Sequence, residues 1–373
     1  MKPIKVLYIN GNIMKRGGIE SFMMNYFRNI DKNKVHIDFL VHGYGKGVYD
    51  DEILAAGSKI YHVSTKSKHP IRYQKELKEL FREEHFDIIH SHLDAMSGWI
   101  LKIAKQCGID VRIAHSHNTD HLTTNPIKRM INEYVKKQIP KYATDMFACS
   151  QAAGEWLFGK NSKFEIVNNA IELERFQYND KIRNYIRNKN NWADKFVIGH
   201  VGRFDYQKNQ EYLIPVLKAV LRNKPNALLI FIGSGDTEAM VRKLAIENKV
   251  EKRIVFLGSR DDVNEFYNAF DFFVLPSRFE GLGIVAVEAQ VNGVPSVLSE
   301  EVPKIVKIND NVVFAPLNKR NVWIEERCAP KTRKNGIDKA REAGYDILSE
   351  ARKLEKKYLD MFKFIDEGNE NVS

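Results

Sequence analysis

The stretch Phe272-Phe-Val-Leu-Pro-Ser-Arg-Phe-Glu280-Gly-Leu-Gly-Ile-Val-Ala-Val-Glu288-Ala-Gln-Val-Asn-Gly-Val-Pro-Ser-Val-Leu298 decides the fold. Phe272–Leu275 is a short apolar run of strand type. A polar loop with glycines at 281 and 283 follows it, then a helical pattern over Gly283–Val291, then a second apolar run at Pro295–Leu298. Strand, loop, helix and strand in that order are the unit from which parallel, doubly wound sheets are built.

The same alternation extends upstream. Strand patterns at Phe196–Val201, Ala227–Ile232 and Arg253–Leu257 are separated by helical patterns at Gln210–Leu221, Thr237–Asn248 and Val263–Ala269. The first half repeats the theme, with strands at Ile4–Ile9, His36–Val41, Lys59–Val63, Asp87–His90, Val111–Ala114 and Asp145–Cys149. Helical patterns at Tyr73–Glu84 and Ser97–Gln106 lie between some of these strands. Residues 179–191 are rich in Asn, Lys and Arg, which points to an inter-domain linker. The expected domains are therefore 1–180 and 191–345, both Rossmann-like and facing a cleft. A charged helix and tail is expected over 346–373.

A chain of 373 residues exceeds one ordinary core. No run approaches the roughly 20 apolar residues of a membrane helix, and the N-terminal apolar run is too short for a signal peptide. Cys107, Cys149 and Cys328 stand apart, with no CxxC or Cys/His cluster for a disulfide framework or zinc site. A cytoplasmic protein is expected. Residues 1–190 carry 30 Lys and Arg against 21 Asp and Glu, net +9, whereas residues 191–373 carry a net +1. The basic half suits an anionic membrane surface, a phosphorylated lipid or a nucleic acid, or it is plain solubility charge. No aromatic–basic RNA or DNA motif accompanies it, which argues against nucleic acid.

In parallel sheets ligands bind beyond the carboxyl ends of the strands, so the loops there are where chemistry is expected. Gly202-Arg203-Phe-Asp-Tyr-Gln-Lys208-Asn209 puts an Arg fork and a Lys point charge in one strand-to-helix loop. The pair suits a diphosphate and is equally consistent with two surface cations. In the opening stretch, Gly281 and Gly283 allow close backbone approach to a ligand, and the helix start favours a phosphate. Glu280 and Glu288 would lie on the order of 10 Å apart if their span is mostly helical. That separation matches the ribose-to-hexose distance of a sugar nucleotide. A helix-start acid and a satisfied half-buried carboxylate are the plainer alternatives. Gly233-Ser-Gly235-Asp236 reads as a turn leading to an Asp236 helix cap. Gly258 and Arg260 follow the next strand, where Arg260 is placed to stack on a base.

In the first half, Gly17-Gly18 opens the first helix without the G-x-G-x-x-G of a nicotinamide dehydrogenase. His90-Ser-His92 and His115-Ser-His117-Asn118 leave two strand ends, and they point to a wet rim. Lacking carboxylate partners, they make a poor metal signature. Over 127–139, Ile127, Met130, Ile131, Tyr134 and Val135 form one stripe, with Lys128, Arg129, Lys136 and Lys137 largely off it. This basic amphipathic helix either packs on its own core or docks on a membrane surface.

Together these segments resemble glycosyltransferase family 4, the retaining enzymes of GT-B fold, which implies that the C-terminal helix returns to the first domain. The matching parts are the Gly17-Gly18 loop, Ser150, Val167-Asn-Asn-Ala-Ile171, Gly202-Arg203 with Lys208-Asn209, Gly233-Ser-Gly235, Val255–Gly258 and Glu280 with Glu288. They occur in the family's order and cover nearly the whole chain. Gly-Gly-Ile-Glu-Ser-Phe22 and Ala114-His-Ser-His-Asn118 resemble bacterial exopolysaccharide or capsule enzymes.

The resemblance implies that Arg203 and Lys208 bind the donor diphosphate and Glu288 the ribose. It gives Glu280, with the backbone of Gly281, Leu282 and Gly283, to the donor sugar. Gly233 and Gly258 would line the nucleotide, Gly18 would close on the phosphate, and His117 would sit near the transferred sugar. Glu280, His117, Arg203 and Lys208 form the implied catalytic set, without metal or cofactor.

The expected reaction is hexosyl transfer from a UDP-sugar to a saccharide or polyprenyl-diphosphate-linked acceptor at the inner membrane face. A nucleotide-sugar epimerase and a non-catalytic sugar-nucleotide-binding subunit are the rivals. Three departures from the family are visible. Asn118 stands where an acid often follows the histidine, Asn169-Ala170 replaces Asn-Gly, and Ser299-Glu-Glu-Val-Pro-Lys304 replaces a Gly-Gly turn.

Overall fold

In the computed structural model the described residues are 2–66, 68–121, 123, 125–324 and 332–370, with side chains described for all but 324 and 364–370. Cys328 and the last residues of the tail lie outside these.

The chain forms two compact units, residues 1–170 with 347–373, and residues 171–346. The first holds a seven-stranded sheet of β1 (Ile4–Ile9), β2 (Val35–His42), β3 (Ile60–Val63), β4 (Ile88–Ser91), β5 (Val111–Ser116), β6 (Asp145–Ala148) and β7 (Glu165–Ile166). Its spatial order is β3-β2-β1-β4-β5-β6-β7. The second unit holds β8 (Phe196–Val201), β9 (Ala227–Ile232), β10 (Ile254–Phe256), β11 (Phe272–Leu275), β12 (Ser296–Ser299) and β13 (Val312–Ala315), ordered β10-β9-β8-β11-β12-β13. Every pairing is parallel. Helices cover both faces of such sheets, so central strands such as β4, β5 and β9 are buried throughout.

The C-terminal helix, Ile347–Glu370, belongs with the first unit as expected. Ile347, Ala351, Leu354 and Tyr358 recur at helical spacing and enter the core that also holds Tyr8, Phe22 and Tyr26. The domain boundary differs from expectation. The division falls after Ala170, and the stretch expected to be a linker contains the helix Asp180–Lys189, capped by Asn179. Its many charges misled because they have partners. Arg183 and Arg187 both bind Asp271, and Arg187 also caps the carbonyl of Ala269.

The basic amphipathic helix spans Pro126–Lys136. Gly98 allows close approach of the backbone at Val135, since a Cβ there would stand 2.3 Å from the Val135 carbonyl oxygen. Val135 is buried, whereas Ile127, Met130, Ile131 and Tyr134 are exposed. The stripe does not pack on the core of its own unit.

Candidate active site

In the second sheet the chain runs from β8 outward to β10, then returns to the other side of β8 as β11. Loops diverge at this switch point and leave room for a ligand beyond the strand ends. The loops leaving β8 and β11 are the two singled out from the sequence, and the structure brings them together. Asp205 folds the first of them by accepting from the Lys208 backbone N–H at 2.9 Å and from Arg203 Nε at 2.7 Å. Asn209 takes the left-handed conformation, with φ 57°, and donates its amide to the Pro276 carbonyl at 3.0 Å. Gln207 donates to the Phe279 carbonyl at 3.1 Å, and the Arg278 N–H donates back to Gln207 at 2.8 Å.

Glu280 lies buried at the centre of this lattice. One carboxylate oxygen accepts from Lys208 Nζ at 2.5 Å and from Ser277 Oγ at 2.6 Å, and the other accepts from Gln207 Nε2 at 3.3 Å. A buried carboxylate requires such partners, because without them its desolvation penalty would be several kcal/mol. Arg203 remains about half exposed, its guanidinium paired with Asp205 at 2.7 Å. Gly281, Leu282 and Gly283 are buried beside Glu280, and Gly283 (φ 84°) starts the helix Ile284–Asn292 without a side-chain cap. The helix therefore includes residues 284–288 of the Glu280–Glu288 span, and Glu280 stands in the loop before it.

Glu288 is on that helix and accepts from Tyr267 Oη at 2.8 Å. Burial pushes its carboxyl up to about 7, partly offset by the Tyr267 hydrogen bond and by the charges of Arg175 and Lys208. It is the acid of this site that titrates near neutral pH. Ser277, Gln207 and Tyr267 were missed in the sequence. Gln207 adjoins Lys208 but its partner Glu280 lies 73 positions on, and Ser277, three residues before Glu280, reads in sequence as an ordinary loop serine.

Two neighbouring loops depart from expectation. Gly233 (φ 140°) is required by packing, since a Cβ would stand 2.1 Å from the Gly202 carbonyl oxygen. The helix Glu238–Glu247 begins after Thr237 without a side-chain cap, so Asp236 is not its N-cap. Gly258 (φ 67°) accepts from the Gly233 N–H at 2.8 Å and has open space where a side chain would be. Arg260 is engaged elsewhere, bound to Asp262 at 2.6 Å and lying 4.7 Å over the Phe266 ring.

In the first unit, Gly18 begins the helix Gly18–Asn29 with nothing within 4 Å of where its Cβ would stand. The histidines form a buried array, contrary to the wet rim expected from sequence. Residues two apart on a strand share a face, so His90 with His92 and His115 with His117 all meet Phe22 or Tyr8 on one side of the sheet. His115 and His117 stack at 4.2 Å, and His90 and His92 at 4.3 Å. His90 Nε2 meets His115 Nδ1 at 3.0 Å, His92 Nδ1 meets His117 Nε2 at 2.9 Å, and His90 Nδ1 meets Tyr358 Oη at 2.6 Å. Burial holds all four well below the usual imidazole value, His117 at about 3.

The ligating atoms of His90, His92 and His115 lie within 4.8 Å of one another, close enough to be a candidate metal group. The rings stack and bond each other, however, instead of pointing their lone pairs at one centre as a tetrahedral site requires. Asp94, not singled out from the sequence, holds the loop that follows β5. It accepts from the His117 N–H and from Asn118 Nδ2, both at 2.7 Å.

Two all-parallel Rossmann-like units, with polar loops gathered at a sheet's switch point, define the class of GT-B glycosyltransferases. The chain belongs to glycosyltransferase family 4 and is an enzyme of that kind. The model "Glycosyltransferase Family 4" matches residues 16–175, and "Glycosyl transferases group 1" matches residues 182–354. The chain is similar to the putative glycosyltransferase EpsF of Bacillus subtilis, 32% identical over 301 residues, covering 79% of this chain and 78% of that protein. It is also similar to the capsular polysaccharide biosynthesis glycosyltransferase CapH of Staphylococcus aureus, at 25% identity over 77% of this chain and 78% of that one. Among solved structures, Alr3699/HepE of Anabaena in complex with UDP-glucose superposes with a TM-score of 0.75 at 19% identity, over 96% of this chain and 100% of that one.

Proposed function

We propose that the protein transfers a hexose from a UDP-sugar, with retained anomeric configuration, to a lipid-linked saccharide acceptor in exopolysaccharide or capsule assembly. The observation that carries this reading is Glu280, buried at the switch point and held by Lys208, Ser277 and Gln207. An anion of this kind, with glycine-marked backbone beside it, is suited to gather sugar hydroxyls, which are hydrogen-bond donors. Lys208, already shared with Glu280, and the more exposed Arg203 neutralise the diphosphate. Their effect is greatest as the glycosidic bond breaks and the leaving UDP gains charge.

Glu288 takes the ribose hydroxyls, and Gly233 and Gly258 admit the nucleotide close to the backbone. Gly18 meets the phosphate with its helix amides, and His117 meets the transferred sugar. With these cations and amides in place, the reading needs no metal. The UDP assignment draws on the nucleotide bound in the Anabaena structure, and the pathway on the name of the staphylococcal relative.

Residence at the inner face of the membrane is part of the proposal. No described helix is long and apolar enough to cross a membrane. The exposed stripe Ile127, Met130, Ile131 and Tyr134 is instead suited to lie in the interface, with Lys128 and Lys137 meeting anionic headgroups.

The test is to supply UDP-glucose, UDP-galactose, UDP-N-acetylglucosamine and GDP-mannose with a prenyl-diphosphate sugar. Nucleotide release is followed, and the product's anomeric proton is read by NMR. UDP release that depends on acceptor, with an α-linked product from an α-donor, supports the reading. Interconversion of the free nucleotide sugar without acceptor would replace it with the epimerase alternative.

A further inference from the structure

We propose that Asp94 is a positioning residue, whose carboxylate fixes the His117–Asn118 turn from which His117 meets the transferred sugar. The inference rests on the reading of His117 given above. Asp94 adopts φ 46°, a left-handed conformation that Asp tolerates better than most non-glycine residues. The usual reason for an Asp just before a helix is to cap it. Here Asp94 opens the short 3-10 turn Asp94–Met96 that leads into the helix Ser97–Gln106, and neither start has a side-chain cap, so the carboxylate is not used that way. It crosses instead to the exit of the neighbouring strand.

One oxygen takes the His117 backbone N–H and the other the Asn118 side-chain amide, each at 2.7 Å, and the Asn118 backbone N–H also bonds to the carboxylate. The His117 ring is fixed on its remaining sides, by His92 at Nε2, by the stacked His115 and by the edge of Phe22. Its Nδ1 has no protein partner.

Burial pushes the Asp94 carboxyl up to about 6, so keeping a charge there is costly to the fold. A neutral amide would avoid that cost, but it would turn one acceptor into a donor facing the Asn118 amide. The arrangement therefore favours two acceptors over lower cost, as expected if the turn's geometry matters more than stability.

The test compares wild type with Asp94→Asn, Asp94→Asn/Asn118→Asp and His117→Ala, measuring kcat and donor KM for UDP-hexose together with UDP affinity and thermal midpoint. The double substitution exchanges donor and acceptor. The amide at 94 still accepts from the His117 N–H and now donates to the carboxylate at 118. Asp94→Asn is expected to lower kcat by about tenfold to a hundredfold, the scale of a small misplacement, with UDP affinity unchanged. The double variant is expected to recover most of that loss.

Wild-type kcat in Asp94→Asn, or a double variant no better than the single one, overturns the positioning role. If Asp94→Asn does not fold, the double variant alone decides, since near wild-type kcat is then expected and a large loss overturns the role. Wild-type kcat in His117→Ala overturns the role as well, by removing the residue it serves. Absence of UDP-hexose turnover in the wild type instead overturns the parent reading.

Discussion

Glu288 holds its proton to about pH 7 because its carboxyl is surrounded by protein and receives only the Tyr267 hydroxyl. Two ribose hydroxyls donating to it would favour the carboxylate, so nucleotide binding should expel a proton. The sign follows from the raised value. Below pH 7 the free protein is increasingly protonated, and binding must first remove that proton. UDP affinity should therefore fall as pH drops through 7, approaching about tenfold per pH unit. Calorimetry in two buffers of different ionisation enthalpy checks this, and a binding heat independent of buffer at pH 6.5 would contradict it.

At this scale the sequence was informative where a single loop carries the chemistry. Arg203 with Lys208 and Glu280 with Glu288 were legible because strand, glycines and helix are contiguous. Gln207, Tyr267 and Asp94 were not, since each matters through a partner on another element, and Ser277 has no spacing or periodicity that marks it beside Glu280. Asp94 also looks in sequence like an ordinary helix-start acid.

Among elements, β4 and β5 place four histidines in the core, and β8 adds His200, which burial holds down to about 4. A histidine whose folded value is depressed binds protons more readily when unfolded, so stability is lost as pH falls below the ordinary value of about 6.5. Each such group contributes a slope of about 1.4 kcal/mol per pH unit. Asp94 and Glu288, both raised, act in the opposite direction between about 7 and 4, but they are two against six, since burial lowers His42 as well. The thermal midpoint should fall steeply from pH 6.5 to 5, and equal midpoints at pH 7.5 and 5 would contradict the buried array.

The basic helix Pro126–Lys136 carries an independent expectation. Sedimentation with phosphatidylglycerol vesicles at low salt should deplete the protein from solution. Ile127→Ser with Met130→Ser should abolish this without changing turnover on a soluble acceptor. Equal sedimentation of the double variant would place the contact elsewhere. From sequence this helix had two readings because periodicity reports an apolar stripe and not what covers it. Val135 had been counted on the stripe, yet it is the residue that anchors the helix, 80° or so around from Ile127 at about 100° per residue. The histidines were misread for a related reason: H-x-H at a strand end is polar by composition, and only the packing of Phe22, Tyr8 and Tyr358 makes it core.

For the whole molecule, the alternation of strands and helices was sufficient to predict two doubly wound sheets. It did not locate the boundary between units, because Asp180–Lys189 is charged by composition and satisfied by partners distant in sequence. The return of the C-terminal helix was legible only through the family resemblance. Its physical basis is the row Ile347, Ala351, Leu354 and Tyr358, with the Tyr358 hydroxyl donating to that of Tyr8 at 3.1 Å.

The account as a whole rests on Glu280 acting on the donor sugar. Glu280→Gln keeps the size of the side chain and an acceptor for Lys208 and Ser277, removes the charge, and turns the oxygen that accepts from Gln207 into a donor. Steady-state UDP release from the preferred UDP-hexose and acceptor is the direct measurement. The account predicts a fall of about a hundredfold or more in the variant, the loss seen when a charge-stabilising group is removed from a catalytic site. Release at near the wild-type rate would contradict it.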